Sequence, residues 1–402
     1  MRQMSKRKSR VSERLLLITP DFLPKIGGIS SYLYNIFSNF SEGVIVVAPW
    51  KENAKEFDPR QTFKIYRTPR LWGAKKLGTV SLFGLAFKTA LFEDIDVVHC
   101  GHVVTGLIGL IFKKFLNRPY IVWTHALEIM QNRFSHIRCF ILKNADRVIT
   151  NSEFTRNRLL EIGVKPANIL KVHPTVDITK FNPYVDASPI VRKYRLEKKR
   201  ILLTIARLEV GQHYKGQDMV IKTLPQLLHT FPNLVYLIIG DGSDSSRLQS
   251  LAKKLNVEKS VIFAGAVSDE DIPKFYVASD LYIMASRKIR DGTGVKAEGF
   301  GIVFIEANAC GKPVIGGRGC GIEDAIVDGV TGLLVNPEDT EEIRNAVVRL
   351  PSDRKLSRRF GRNGRARVLR EMVPEKAVEK LKILHREINR KKDIVELRKK
   401  EE

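Results

Sequence analysis

Short apolar runs alternate with longer mixed segments along the first part of the chain. Five runs of strand length, rich in Leu, Ile and Val, occupy residues 14–20, 43–48, 95–99, 120–123 and 147–150. Helix-length segments separate several of these runs, which is the pattern of βαβ units in a parallel sheet. The N-terminal part is therefore predicted to form an α/β domain.

The same pattern begins again after a polar, proline-containing passage at residues 177–199. Six further apolar runs follow, at residues 201–205, 234–239, 261–263, 281–284, 313–315 and 332–335. We predict an α/β fold of two Rossmann-like domains, each with a doubly wound parallel sheet, facing each other across a cleft at the strand ends. The predicted domains are residues 1–185 with a basic tail at 1–13, residues 186–375, and a C-terminal helix at 376–402 that packs back or is exposed.

Two carboxylates mark the most informative stretch, Lys296–Ile315. Glu298 lies in a glycine-rich loop, and Glu306 lies in an apolar helix predicted to start near Val303. Free N–H groups at such a helix start favour a phosphate or a sugar edge, Glu298 can accept hydrogen bonds from sugar hydroxyls, and Glu306 can hold a ribose. The alternative is a helix cap with a solvated face, but the apolar neighbours indicate burial. The predicted donor-contacting set is Glu298, Gly299, Phe300, Gly301, Ile302, Val303 and Glu306.

Cations and glycines follow other predicted strands. Arg207 and Lys215 flank the loop after residues 201–205, where fixed cations can stabilise a diphosphate leaving group. The alternative is that they are surface cations of a loop, and either His213 or Lys215 could occupy the inward position. Gly27 and Gly28 follow the first strand and allow close approach to a phosphate or sugar, although a simple turn explains them as well. They do not form Gly-x-Gly-x-x-Gly, which disfavours a dinucleotide site.

The run from Glu298 to Glu306, followed by Lys-Pro-Val-Ile-Gly-Gly, resembles the donor-site signature of retaining GT-B glycosyltransferases of the family-4 group (glycosyl transferases group 1). The similarity extends from near Gly27 to about residue 350. The sequence of the motif is most similar to that of the phosphatidylinositol mannosyltransferases. The resemblance implies that Arg207 and Lys215 grip the donor diphosphate and that Gly240 lies near the base. It also implies that His125, in a loop fixed by Glu128, approaches the donor sugar.

Composition adds a strong positive charge. Lys plus Arg number 68 against 44 Asp plus Glu, a net charge of +24. We expect attraction to polyanions, and a basic tail with residues 70–88 forms a candidate segment for an anionic membrane surface, in which Trp72, Leu77, Phe83 and Phe87 enter the interface. The alternative for residues 70–88 is a loop and a core-facing helix. Four scattered cysteines indicate reduced thiols without a metal site, and no apolar run is long enough to span a membrane.

These observations predict a retaining hexosyltransferase, independent of metal, with no cofactor besides its nucleotide diphosphate sugar. GDP-mannose and UDP-hexoses are the leading donors, and the acceptor is expected to be lipid-linked or a glycan. The resemblance implies that the acceptor hydroxyl attacks on the face from which the diphosphate leaves, without a protein nucleophile. We expect a cytoplasmic protein, peripheral on the inner face of the cell membrane, that does not bind nucleic acid. A sugar-nucleotide epimerase or an inactive glycan-binding relative is the alternative.

Overall fold

A computed structural model describes residues 13–25, 27–40, 43–70, 75–131 and 135–401, with the backbone alone at 75–77 and 391–401. Two compact units make up the chain. The first comprises Met1–Ile129, Arg133–Thr175 and Pro374–Glu402, and the second comprises Met130–Asn132 and Val176–Val373. The chain passes from the first unit to the second after Thr175, whereas the predicted domain boundary was at 185/186. From Pro374 on, the chain belongs to the first unit again.

The first unit contains a seven-stranded parallel sheet in the order β3-β2-β1-β4-β5-β6-β7. Every residue of β1, β2, β4, β5 and β6 is buried, as expected for strands covered by helices on both faces. The strands are β1 Leu15–Ile18, β2 Val44–Ala48, β3 Lys64–Arg67, β4 Val97–Cys100, β5 Tyr120–Thr124, β6 Arg147–Thr150 and β7 Ile169–Lys171.

The second unit contains a six-stranded parallel sheet in the order β10-β9-β8-β11-β14-β15. A separate antiparallel hairpin pairs β12 with β13. The strands are β8 Arg200–Ile205, β9 Leu234–Ile239, β10 Val261–Gly265, β11 Leu281–Met284, β12 Ile289–Asp291, β13 Gly294–Lys296, β14 Val314–Gly317 and β15 Gly332–Val335.

Helices cover both sheets. Those of the first unit are Gly28–Phe37, Ala54–Phe57, Lys75–Phe92, Gly106–Leu116, His136–Asn144, Glu153–Ile162 and the C-terminal Pro374–Glu401. Those of the second unit are Ser188–Lys193, Gln217–Thr230, Ser245–Lys254, Ile272–Ala278, Ile302–Ala309, Ile322–Ala325, Thr340–Ser352 and Arg354–Glu371.

All eleven predicted strands are present, and the structure adds two edge strands and the hairpin. The edge strands β3 and β7 carry partly exposed residues, so they lack the continuous apolar run that marks a buried strand. The C-terminal helix packs on the first unit, where Asn389 Nδ2 donates to Glu13 Oε1 at 2.5 Å.

Residues 75–88 of the predicted interfacial segment lie in the Lys75–Phe92 helix. Leu82 and Ala86 are buried in the first core and Phe83 packs against it, as the core-facing alternative requires, while Phe87 is exposed. Trp72, the side chains of Leu77, Lys75 and Lys76, and the basic tail at 1–12 lie outside the described residues.

Candidate functional site

The carboxyl edge of the second sheet gathers the residues predicted to bind the donor. Strand order reverses between β8 and β11, so the loops after these strands leave a crevice of the kind in which ligands bind in such sheets. Arg207 follows β8 and is exposed. Its positive charge is close enough to Lys215 to oppose protonation of that lysine. The two predicted cations are therefore neighbours.

Lys215 is the residue of its loop that turns inward. Its Nζ donates to Glu298 Oε2 at 3.0 Å, and both side chains are largely buried. Burial, the largest single influence, opposes the lysine charge, but Glu298 and Tyr214 together outweigh it and raise the pKa of Lys215. His213 instead contacts Asp244 at 3.0 Å, so of these two side chains Lys215 is the one that points to Glu298.

Glycines let the loops of this edge approach one another. A Cβ on Gly240 would stand 1.9 Å from the carbonyl oxygen of Ala206, and Gly240 has φ of 125°. Gly240, which was predicted to lie near the nucleotide base, therefore packs directly against the backbone that leads into Arg207. Likewise, a Cβ on Gly321 would stand 1.9 Å from the carbonyl oxygen of Gly299. These contacts fix the loops that carry Arg207 and Glu298.

The Ile302–Ala309 helix starts at the same edge. Gly301 is its N-cap with φ of 88°, a left-handed conformation that favours glycine. Ile302 and Val303 form the partly exposed first turn, while Phe300 just before it is buried. Because the N-cap is a glycine, it supplies no side-chain cap to the first N–H groups of the helix.

Glu306 lies in the second turn of this helix. Tyr276 Oη donates to Glu306 Oε2 at 2.8 Å, and the ion pair of Lys180 with Asp269 lies near enough to influence the carboxyl group. Burial raises the pKa of Glu306 to about 7, against smaller opposing effects of Tyr276 and Lys180. Tyr276, Lys180 and Asp269 were not predicted, since they come from separate parts of the chain that only the fold brings together.

His125 lies in the first unit, at the carboxyl end of β5. Its Nε2 lies 2.9 Å from the carbonyl oxygen of Gly101, so Nε2 carries the proton and Nδ1 is the acceptor. Burial lowers the pKa of His125 to about 4, which keeps the ring neutral. Glu128 Oε1 accepts from the backbone N–H of His125 at 2.5 Å and so holds this loop. Ala126 has φ of 57°, a strained backbone of the kind that clusters at functional sites.

The surroundings of His125 include groups that the sequence reasoning missed. His102 follows β4, its Nδ1 accepts from the N–H of Val104 at 3.2 Å, and its ring lies near Glu128, His125 and Asp21. These residues follow β1, β4 and β5, and strand order reverses between β1 and β4. A Gly-His pair after a buried strand was the available signal for His102.

Gly27 and Gly28 stand at the start of the first helix of that unit. Gly27 is the N-cap, in an extended conformation that any residue adopts, and Gly28 is the first helical residue and is exposed. The structure therefore brings together Arg207, Lys215, Gly240, Glu298 and Glu306 in the second unit. It places His125, Gly27 and Gly28 in the first. Among the described residues no group of three or more His, Cys, Asp or Glu could hold a metal ion.

Comparison with protein families gives matches over both units. The family "Glycosyltransferase Family 4" matches residues 26–180, and "Glycosyl transferases group 1" matches residues 188–367. A GDP-mannose-dependent alpha-(1-6)-phosphatidylinositol monomannoside mannosyltransferase of Mycolicibacterium smegmatis is 30% identical over 87% of this chain and 92% of its own. A GDP-mannose-dependent monoacylated alpha-(1-6)-phosphatidylinositol monomannoside mannosyltransferase of Corynebacterium glutamicum is 28% identical over 89% and 93%.

Solved structures resemble the chain over nearly its whole length. The Anabaena HepE protein in complex with UDP and glucose superposes with a TM-score of 0.76, at 20% identity, over 92% of this chain and 99% of its own. The sucrose-phosphate synthase of Thermosynechococcus elongatus superposes with a TM-score of 0.74, at 23% identity, over 94% and 99%. The predicted GT-B type fold is confirmed.

Proposed function

The chain belongs to the family-4 glycosyltransferases (glycosyl transferases group 1), and from that premise we propose that it moves mannose from GDP-mannose to a lipid-linked acceptor with retention of configuration. The observation that supports the donor most directly is the 30% identity to a GDP-mannose-dependent enzyme across 92% of that enzyme's length. The acceptor follows from the same relative, which acts on a phosphatidylinositol monomannoside.

The residues at the carboxyl edge of the second sheet supply the donor contacts that this chemistry needs. Arg207 and Lys215 would take the diphosphate, and Glu306 the ribose hydroxyls. Glu298, held by Lys215 at 3.0 Å, would take hydroxyls of the transferred sugar. When the diphosphate approaches Lys215, it shares the ammonium with Glu298, so diphosphate and sugar are bound by one connected pair.

The transfer itself needs positioning and charge stabilisation. The bond from the anomeric carbon to the diphosphate oxygen breaks, the acceptor oxygen bonds to that carbon on the same face, and the acceptor proton passes to the departing phosphate oxygen. Negative charge grows on the diphosphate as the bond breaks, so cations fixed beside it stabilise the transition state more than the ground state. The resemblance also predicts that His125 contacts the donor sugar, and its neutral ring, with Nδ1 free to accept, suits a sugar hydroxyl.

Donor and acceptor are tested by incubating the protein with GDP-mannose, UDP-glucose and other nucleotide sugars and measuring nucleotide release. Each donor is tried with and without phosphatidylinositol mannoside. We expect GDP release from GDP-mannose that rises when the lipid is added. Nucleotide release from UDP-glucose but not from GDP-mannose would contradict the assignment of GDP-mannose as the donor. Interconversion of sugar nucleotides without an acceptor would instead identify an epimerase.

We further propose that the first unit docks on an anionic membrane. Within the described residues, no helix is long and apolar enough to cross a membrane. The Lys75–Phe92 helix nevertheless exposes Val80, Leu91 and Phe92, the last with 82% of its surface accessible, and Phe115 on a neighbouring helix is 76% exposed. Lys88 and Lys114 add exposed cations nearby. Aromatic rings among lysines suit the interface between headgroups and acyl chains.

Sedimentation with phosphatidylglycerol vesicles tests this docking. Phe92→Ser with Phe115→Ser should reduce the fraction of protein that sediments, whereas Val327→Ser with Val330→Ser, exposed positions of the second unit, should sediment like wild type. Equal sedimentation of both double variants would contradict membrane docking through these helices.

A further inference from the structure

The amino-terminal edge of the second sheet carries a second cationic region. Residues at or just before the starts of β8, β9, β11 and β14 line a cavity of about 560 Å³, among them Lys199, Arg200 and Lys312. A second cavity of about 840 Å³ shares Arg358 with the first. The predicted donor residues follow the carboxyl ends of the same strands. Strands of four to six residues separate the two edges by roughly 13–20 Å, so the cavities are distinct from the donor site.

The Arg354–Glu371 helix, which we call the arginine helix, forms the common wall of these cavities. Its 18 residues include seven arginines and one lysine against one glutamate. Arg354, Arg358 and Arg362 follow one another at four-residue intervals, so their like charges lie on one face and destabilise the helix. Arg354 and Lys355 also occupy the first turn, where the helix dipole is positive. A bound anion would relieve both costs.

The two halves of the arginine helix differ in how their cations are used. In the second half, Arg365 donates to the carbonyl oxygen of Ala309, and Arg367 to that of Ala325 at 2.9 Å. In the first half, Arg354, Arg358 and Arg362 are exposed and make no hydrogen bond or ion pair with any residue that the structure describes. Hydrogen bonds to the backbone therefore account for Arg365 and Arg367, whereas they do not account for Arg354, Arg358 and Arg362.

The acidic residues that line the cavities are already engaged. Asp280 Oδ2 accepts from the N–H of Ile201 at 2.7 Å, and Asp353 Oδ1 caps the arginine helix by accepting from Leu356 N–H at 2.9 Å. Both carboxylates therefore accept hydrogen bonds from backbone N–H groups. Among the cations that line the cavities, Arg200 donates to the carbonyl oxygen of Pro351 at 2.9 Å and Lys312 to that of Val277 at 2.8 Å, so the exposed arginines of the first half of the helix are the groups left for a ligand.

We propose that this edge is a binding site for a ligand with clustered phosphate groups. Three guanidinium groups at successive turns match phosphate oxygens in forked geometry, and the prevalence of arginine over lysine on this helix fits that mode. The volume is that of a small-molecule pocket. A soluble polyphosphate and the headgroups of an anionic lipid present the same chemistry.

The test measures binding of inorganic tripolyphosphate by calorimetry, and of phosphatidylglycerol vesicles by sedimentation, in 150 mM salt. The background for calorimetry is Arg207→Gln with Lys215→Gln, which removes the donor-site cations. On that background, Arg354→Gln, Arg358→Gln and Arg362→Gln together should weaken binding at least tenfold. The control, Lys253→Gln, Lys254→Gln and Lys259→Gln, removes three exposed cations elsewhere in the unit and should change binding less than twofold.

Each outcome decides the proposal. Tripolyphosphate binding that depends on the three arginines supports a soluble ligand, and vesicle binding that depends on them, in a Phe92→Ser and Phe115→Ser background, supports a lipid headgroup. Binding of neither probe, or an equal loss in the lysine control, overturns the site. A short RNA that binds through the same arginines while tripolyphosphate does not would also overturn it. Because neither readout requires sugar transfer, the result is independent of the proposed donor and acceptor.

Discussion

The two carboxylates of the donor edge are in different electrostatic states. Glu298 is paired with Lys215, whereas Glu306 faces a tyrosine hydroxyl and has a pKa raised to about 7 by burial. A carboxyl group that titrates near neutrality binds ribose hydroxyls best when it is ionised. Donor affinity should therefore fall as the pH drops below about 7.

The same raised pKa means that ionised Glu306 destabilises the folded protein. Its folded pKa lies above the ordinary value of 4.5, so the folded state holds the proton more tightly and stability falls as the pH rises from about 4.5 to about 7. Glu306→Gln should raise the free energy of unfolding at pH 8 by roughly 1–3 kcal/mol, leave it nearly unchanged at pH 4.5, and weaken the donor. Denaturant titration at both pH values checks this, with exposed Glu258→Gln as control. A variant less stable than wild type at pH 8 would contradict the assignment.

Arg207 and Lys215 act on the departing diphosphate. Replacing either with glutamine should cost about 1.5–3 kcal/mol of transition-state stabilisation, a loss of roughly ten- to a hundredfold in kcat/KM, because a charge-assisted contact is removed. Steady-state nucleotide release measures this. Arg318→Gln, an exposed arginine paired with Glu342 on the same unit, is a suitable control and should retain activity.

At the scale of the element, close backbone contacts hold the donor loops. Gly240→Ala should destabilise the protein by at least about 2 kcal/mol, because a Cβ would overlap the carbonyl oxygen of Ala206 at 1.9 Å and the backbone has φ of 125°. A Cβ on Gly211, in the neighbouring loop, would meet no atom within 4 Å, so Gly211→Ala should be nearly neutral. Thermal denaturation of the two variants distinguishes a specific backbone contact from a general intolerance of the loops.

The C-terminal helix is fastened to the first sheet by buried histidines. Trp123 Nε1 donates to His99 Nδ1 at 3.1 Å, so His99 Nε2 carries the proton that faces His385 Nε2 at 2.9 Å. The other ring nitrogen of His385 lies 3.1 Å from Glu13, at ion-pair distance but without hydrogen-bond alignment. Burial and the neighbouring His385 lower the pKa of His99 well below its ordinary value.

A neutral buried histidine makes stability depend on pH. Below about 6.5 the unfolded chain takes up a proton that the folded His99 refuses, so the free energy of unfolding should fall as the pH drops, by up to about 1.4 kcal/mol per pH unit for this group. Denaturant titrations between pH 7.5 and 5.5 would measure the slope, and exposed His229→Gln should leave it unchanged. Because Glu306 contributes a slope of opposite sign below about pH 7, the titrations are made in the Glu306→Gln background, where a flat profile would contradict a neutral His99.

At the scale of the whole molecule, the sequence predicted both sheets because their central strands are continuous apolar runs. It missed β3 and β7, whose edge positions leave polar residues exposed. Its donor-site candidates Glu298, Glu306, Arg207 and Lys215 lie in loops and helices that follow recognisable strands. It could not find Tyr276, or the Lys180 and Asp269 pair, because their proximity to Glu306 arises only when separate segments pack together.

The most direct test of the central claim is to follow transfer from GDP-mannose to a phosphatidylinositol mannoside by NMR, reading the anomeric configuration of the product. Wild type should give an α-mannoside, the configuration of the donor, and Arg207→Gln with Lys215→Gln should reduce the rate by at least a hundredfold. An inverted product would contradict the same-face mechanism. Unchanged turnover in the double variant would contradict the assignment of the donor diphosphate to these two cations.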